Sequence, residues 1–249
     1  MNTVLITGTS SGYGQQTARH FHAQGWNVIA TMRTPRPGLL PESDRFRVVA
    51  LDVTRPESIA AAIEAAGPID VLVNNAGVPS IGVFEGTSMD RVREVFETNT
   101  FGVMATTQAV LPQFRERGSG VVVNVTSSVV LGHMPLSAVY KASKMAVEGF
   151  TASLALELEP FGVRAKTVEP GACLTTNFAA RATKGTAPDE LVPEPYRAFA
   201  KKAMDDFTGQ DLFTQESDVA ETVWRAAHDT TGQLRFPAGP DAVRLAQAK

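Results

Sequence analysis

The first 24 residues set a strand, a glycine turn and a helix end to end, and few folds accept that order. Thr3-Val-Leu-Ile-Thr7 is apolar and β-branched, the pattern of a short buried strand. Gly8-Thr-Ser-Ser-Gly12-Tyr-Gly14 follows directly, and Gln15 to Gln24 has a helical pattern. A turn of this kind sets backbone N–H groups and a helix N-terminus against a pyrophosphate. Gly8 permits the tight turn, while Gly12 and Gly14 allow strand and ligand to approach the backbone. Gly8, Ser10, Ser11, Gly12, Tyr13 and Gly14 are therefore candidates to hold a dinucleotide. The spacing is G-x-x-x-G-x-G, not G-x-G-x-x-G, and glycines serving packing alone are the competing explanation.

Strand and helix then alternate. Asn27–Thr31, Phe46–Leu51, Asp70–Val73, Val121–Val125 and Val163–Val168 read as strands, and Gln233–Phe236 as a short last one. Glu57–Ala66, Ser88–Thr98, Asn99–Arg117, Tyr140–Leu158 and Ser217–His228 read as helices between them. The expected fold is α/β: a doubly wound, Rossmann-type parallel sheet of about seven strands with helices on both faces. Residues 1–249 form one dinucleotide-binding and catalytic domain in this reading. Residues 174–215 interrupt the alternation and carry Phe178, Tyr196, Phe199, Met204 and Phe207, which suits a substrate-binding loop or lid.

The end of the second strand is where such a fold reads the adenosine ribose. Here stand Met32 and Arg33, with no acid until Glu42. Arg33 offers a donor fork to a 2′-phosphate, or else is a solvated loop arginine. Asp52, followed by Val53, either meets the adenine amine or caps a turn. Asn74-Asn75-Ala76-Gly77 after the fourth strand suits close backbone approach to a flat ligand, and equally a plain turn.

Tyr140 and Lys144 stand four apart on one helix face. A neighbouring ammonium favours a phenolate, so this pair suits proton exchange with an alcohol or carbonyl. Ser127, thirteen residues earlier, has a hydroxyl suited to holding a substrate oxygen, with Thr126 and Ser128 as adjacent alternatives. Asn99 is either an amide satisfied by local backbone or one that binds a water. A Y-x-x-x-K pair is common by chance; its standing comes from these companions.

With 249 residues and 43% apolar content the chain is long enough for a full core. A net charge of −3 argues against nucleic acid or an anionic membrane as partner. Cys173 is the sole cysteine, which excludes an intrachain disulfide, and the four histidines show no metal-ligand spacing, so no metal is expected. His133, between Ser127 and Tyr140, edges the pocket or faces solvent. No apolar run approaches a membrane span and the N-terminus has no export pattern, so a cytoplasmic setting is expected.

Taken together, these residues resemble the short-chain dehydrogenase/reductase family in its shorter branch, over nearly the whole chain and least well from 174 to 215. Thr7-Gly8-x-x-x-Gly12-x-Gly14, Asp52 and Asn74-Asn75-Ala76-Gly77 match its cofactor motifs. Asn99, Ser127, Tyr140 and Lys144 match its catalytic tetrad. Pro170-Gly171 with Thr175 resembles the motif that contacts the nicotinamide end. The resemblance implies hydride transfer between NADP(H) and a carbonyl or secondary alcohol. Tyr140 would give or take the proton, Lys144 would lower its pKa and hold the ribose, Ser127 would position the substrate oxygen, and Asn99 would hold a water. Val28-x-Ala-Thr-x-Arg33 with Ser11 is similar to the NADP-preferring 17β-hydroxysteroid and retinol dehydrogenase-like group, so NADP(H) is expected over a weaker NAD(H). A hydrophobic small-molecule substrate and a homodimer or homotetramer are expected. The alternative is a non-catalytic nicotinamide-sensing or regulatory protein on the same fold.

Overall fold

The structure is a computed structural model that describes residues 2–36, 38–41, 43–176 and 192–248. Seven strands form one sheet in the order β3-β2-β1-β4-β5-β6-β7, every pair parallel. They are β1 (Thr3–Ile6), β2 (Asn27–Met32), β3 (Phe46–Ala50), β4 (Val71–Asn74), β5 (Gly120–Val125), β6 (Val163–Pro170) and β7 (Arg235–Ala238). Among the described residues the main helices are α1 (Gly12–Ala23), α2 (Pro56–Ala66), α3 (Met89–Phe96), α4 (Gly102–Arg117), α5 (Ala138–Leu158), α6 (Arg197–Thr208), α7 (Glu216–His228) and α8 (Pro240–Gln247).

Parallel central strands are covered on both faces, so they need apolar side chains on both. The sequence supplies this with near-continuous valine, isoleucine and leucine. Val4 and Ile6 of β1 face one core with Val28, Val73 and Val123, closed by Phe21 of α1 and Val223 of α7. Leu5, between them, faces the opposite core with Ile29, Leu72 and Val122, closed by Phe114 of α4 and Leu154 of α5. The chain winds outward from β1 in both directions, which opens a crevice at the strand C-termini between β1 and β4.

Three elements differ from the sequence reading. The last strand lies two residues later, at Arg235–Ala238 instead of Gln233–Phe236. A helix, α8, follows it where none was expected. Asn99 does not start a helix: a π-helical turn, Glu97–Phe101, joins α3 to α4 and places Asn99 mid-way along one continuous rod. Long α5 is also less two-sided than its composition suggests. Val147, Leu154 and Leu158 are buried, Phe150 packs partly against the same core, and the exposed apolar residues are Met145 and Leu156.

Within 174–215, Phe178 lies outside the described residues. Tyr196 donates to Glu85 Oε2 at 2.7 Å, and Phe199 on α6 is exposed. Both roots of the segment are held by Asp241 of α8. Its Oδ2 accepts from Ala172 N at 2.7 Å and its Oδ1 from Thr214 Oγ1 at 2.5 Å.

Candidate active site

The C-terminal ends of several strands converge on the crevice, and each brings a motif. Leaving β1, Gly8 adopts a φ of 74°, and a Cβ there would sit 2.7 Å from Ala76 Cα. Leaving β4, Asn75 donates from Nδ2 to Thr7 O at 2.9 Å and Gly8 O at 3.1 Å, while Thr7 Oγ1 accepts from Asn75 N and Ala76 N. Gly14 is small for this reason: a Cβ there would overlap Asn75 Nδ2 and Gly8 O. The glycine turn and the Asn-Ala-Gly turn are thus one stitched unit. Asn74 points elsewhere, into a buried network with Thr106, Thr107 and Asn124.

Ser11 stands at the N-cap of α1 in extended conformation. Tyr13 turns inward: its hydroxyl donates to Gly171 O at 2.9 Å and its ring packs against the core. Burial raises its pKa, and the nearby Cys173, Tyr140, Asp241 and Glu216 add to this. The phenol therefore ties the first turn to the end of β6, where Gly171 N bonds Ala238 O. Thr175 Oγ1 lies 3.1 Å from Cys173 Sγ.

At the far end of the crevice, a cavity of about 500 Å³ is lined by Ser10, Met32, Arg33, Arg36, Gly77 and Arg91, among others. Sequence reasoning found Arg33 but missed Arg36 and Arg91. Arg36 follows the same strand, and its Nη2 donates to Ser10 O at 3.4 Å. Arg91 comes from α3, where it pairs with Glu94 at 2.5 Å and donates to Pro79 O. Met32 is 3% exposed, so the strand end carries no acid and little polarity of its own. Asp52 accepts from Thr54 N at 3.0 Å and Thr54 Oγ1 at 2.8 Å, which makes it a turn cap. Partial burial works against its charge, but those bonds and the Arg33 and Arg55 charges leave its carboxyl below the usual range. Val53 packs against Gly102, where a Cβ would meet its side chain at 2.7 Å.

Ser127 leaves β5 in extended conformation and caps the short 3₁₀ turn Ser128–Val130. Its hydroxyl bonds the Tyr140 phenol. Thr126 is turned away, donating to Glu148 Oε1 at 2.6 Å, and Ser128 is buried. Ser127 is thus the hydroxyl that the structure brings to Tyr140. Lys144 Nζ lies 6.0 Å from the Tyr140 ring centre and donates to Val125 O at 2.9 Å. Asn99 Oδ1 accepts from Val78 N at 2.8 Å, and its Nδ2 donates to Val78 O at 3.0 Å and Ser143 Oγ at 3.1 Å. Most of its side-chain capacity is therefore used to seat the Gly77–Val78 turn beside Lys144. His133 Nδ1 lies 3.3 Å from Lys141 Nζ.

The electrostatics differ from the simple expectation that the ammonium lowers the phenol. Burial pushes Tyr140 up to about 12, against the lowering effect of the Ser127 bond. Burial also pushes Lys144 down to about 8, against Glu148, which raises it. A desolvated lysine is a cost to the fold that can be measured. Below about 8 the folded chain carries a buried charge, and that penalty is fully present there. It fades as pH rises toward the unfolded value of 10.5 and is absent above it. Lys144→Met should therefore raise stability by on the order of a few kcal/mol below this window, and by nothing above it. Thermal melts of both proteins below, within and above the window check this; a gain that ignores pH would contradict it.

Known proteins are similar to this chain in sequence and fold. Residues 2–186 match the short chain dehydrogenase family, and the chain belongs to it. It is 42% identical over 183 residues to the uncharacterized oxidoreductase YusZ of Bacillus subtilis, a match covering 69% of this chain and 65% of that protein. It is 40% identical over 185 residues to retinol dehydrogenase 8 of Bos taurus, covering 70% of this chain and 59% of that one. The matches thus span a little under two thirds of these relatives' lengths. Among solved structures, a short-chain dehydrogenase from Streptomyces avermitilis superposes with a TM-score of 0.83 at 36% identity, over 99% of this chain and 91% of that one. A serine dehydrogenase in complex with NADP+ gives 0.77 at 29% identity, over 94% and 93% of the two chains. A 3-ketoacyl-(acyl-carrier-protein) reductase of Brucella melitensis complexed with NADH gives 0.76 at 26%, over 95% and 96%.

No described helix is long and apolar enough to cross a membrane. Among the described residues no group of three or more His, Cys, Asp or Glu side chains is placed to hold a metal ion.

Proposed function

We propose that this protein is an oxidoreductase that moves a hydride between NADP(H) and a hydrophobic ketone or secondary alcohol, with Tyr140 as the general acid and base. The observation that carries the reading is the Ser127–Tyr140–Lys144 group, with Tyr140 and Lys144 buried, at the crevice formed by the strand ends. A sensor of nicotinamide would need the crevice but not the acid–base pair.

The chain fits the cofactor at both ends. Gly8 and Gly12 have positive φ, so the first turn keeps its backbone open, and the arginine-lined cavity suits a phosphorylated ribose. Gly8, Ser10, Ser11, Gly12 and Gly14 would line the pyrophosphate; Arg33, with Arg36 and Arg91 beside it, would meet the 2′-phosphate. Asp52 and Val53 would border the adenine. Asn75, Ala76 and Gly77 would lie under the ribose, and Pro170, Gly171 and Thr175 at the nicotinamide end. The bound cofactor supplies the hydride.

The chain's own residues supply the proton and the geometry. Tyr140 is neutral at physiological pH, as a phenol ordinarily is, and burial, which pushes its pKa up to about 12, keeps it so; it is set to donate as a carbonyl oxygen gains charge. Ser127 Oγ, bonded to that phenol, orients the same oxygen. Lys144 places an ammonium beside the developing phenolate and stabilises it as charge appears. Asn99 holds the backbone around Lys144 and leaves one acceptor site on Oδ1 for a water.

Loss of nicotinamide absorbance with purified protein against a panel of ketones tests this reading. Reduction should improve with apolar bulk if residues 174–215 form a lid over an apolar pocket. Binding of NADPH with no turnover of any carbonyl would favour the sensor instead. We also propose a homodimer or homotetramer, because Phe101 of the π turn and Met145 and Leu156 of α5 are exposed. A monomer by light scattering at micromolar concentration would contradict this.

A further inference from the structure

Behind Lys144 lies a charged group that the proton transfer does not use. Glu148 follows Lys144 by one turn of α5, and its side chain is 11% exposed. Its Oε1 accepts from Thr126 Oγ1 at 2.6 Å. Its Oε2 accepts from Thr167 Oγ1 at 3.3 Å and lies 3.5 Å from Arg235 Nε. Arg235, on β7, also pairs with Glu169 Oε1 at 2.5 Å. Glu169, on β6, is fully buried, and its second oxygen has no hydrogen-bond partner.

Two features of this arrangement bear on the active site. Lys144 grips Val125 O while Glu148 grips the Thr126 hydroxyl, so the two charged side chains brace consecutive residues immediately before Ser127. Two carboxylates also share one guanidinium, and one of them has an orphaned buried oxygen. Such a pair resists carrying two full charges. Burial first, and the Glu148 charge second, push the Glu169 carboxyl up in pKa, despite Arg235 and Thr167. Glu148, in contrast, has donors from Thr126 and Thr167 on its two oxygens.

We propose that Glu148 is a positioning residue for Lys144: its carboxylate keeps the buried ammonium charged and seated on Val125, while Glu169 and Arg235 set how much negative charge it presents. This rests on the reading of Tyr140 and Lys144 as the acid–base pair. The titratable neighbours are Tyr140 on the same helix, Glu169 on β6 and Arg235 on β7; Tyr13 is near enough to both Tyr140 and Cys173 to feel their charges. The π turn contributes the neutral amide of Asn99. The Glu148 charge opposes the burial that drives Lys144 toward the neutral form.

The test follows Lys144 directly, in the full chain without cofactor. Lysine labelled with carbon-13 at Cε is titrated by NMR, and Lys144→Arg identifies the signal by its loss. The wild-type midpoint should lie near 8. Glu148→Gln should lower it by roughly one unit, and Glu148→Asp, which keeps the charge, should restore most of that shift. Arg235→Gln removes a cation and should move the midpoint the opposite way. In steady-state assays the alkaline limb of kcat/KM should shift downward with Glu148→Gln, since the ammonium is lost at lower pH. A folded Glu148→Gln with an unchanged Lys144 midpoint would overturn the proposal, as would equal shifts in the Gln and Asp variants. Should Glu148→Gln not fold, Arg235→Gln decides: a rise supports the proposal, and no shift or a fall overturns it. Absence of turnover in the wild type would defeat the enzymatic reading while the NMR titration still decided the role of Glu148.

Discussion

Tyr140→Phe should reduce turnover by about 10²–10⁴-fold, the usual worth of a positioned general acid, and leave cofactor affinity within a few-fold. The ring packs with Val129, Val130, Leu131 and Ala242, and phenylalanine keeps those contacts, so the fold should survive. What is lost is one hydroxyl, bonded to Ser127 and held neutral by burial. The direction of the pH effect follows. Reduction needs the neutral phenol, which is present at all pH values well below about 12. Alcohol oxidation needs a proton acceptor and should gain as pH rises toward the Lys144 midpoint near 8, above which loss of the ammonium opposes the gain. Steady-state rates and cofactor titration by fluorescence measure both halves; retention of most wild-type turnover in Tyr140→Phe would remove Tyr140 from its role.

The second large effect concerns the cofactor's phosphate. NADP(H) should be preferred over NAD(H) by about one to two decades in kcat/KM. Hydrogen bonds to charged groups are worth about 1.5–3 kcal/mol, and 1.4 kcal/mol is about tenfold. Arg33 and Arg36 are exposed at the cavity edge, so solvent screening keeps the preference at this modest size. Arg33→Ala should remove most of the preference and the Arg33→Ala/Arg36→Ala pair the rest. Arg91 is a poorer candidate for removal, because Glu94 and Pro79 already engage it. Met32→Asp would supply the acid that selects a free 2′-hydroxyl, but it buries a carboxylate at a site only 3% exposed, so its effect would mix stability with specificity. A wild-type preference for NAD(H) would mean that the arginines serve something other than a phosphate.

The parallel sheet was legible because its strands need apolar residues on both faces, and runs such as Val121-Val-Val say so without any partner in view. The glycine turn was legible from spacing, though its physics was only half visible. Gly14 is required by the side chain of Asn75, which arrives from 61 residues away, and spacing alone cannot show that. Asn99 illustrates the same limit. A poor helix former reads locally as a helix boundary, whereas here Val78 and Ser143 hold the amide inside a π turn. Tyr13 sits among the cofactor residues in sequence, yet its hydroxyl bonds Gly171, 158 residues on. Helix α8 did leave a signal: Gly239, then Pro240 at its first position and Asp241 in its first turn. It is short, and with Val243 and Leu245 exposed it lacks a wide apolar stripe. Arg36, from the loop after β2, and Arg91, from α3, join one cavity, a placement only the fold creates.

The most direct test of the central claim is to follow the hydride itself. With NADPH deuterated at one face of C4 and a hydrophobic ketone, the alcohol product should carry deuterium at the former carbonyl carbon, from one face of the cofactor only, and Tyr140→Phe should form almost none of it. Tight NADPH binding with no deuterium passed to any carbonyl compound would contradict the account.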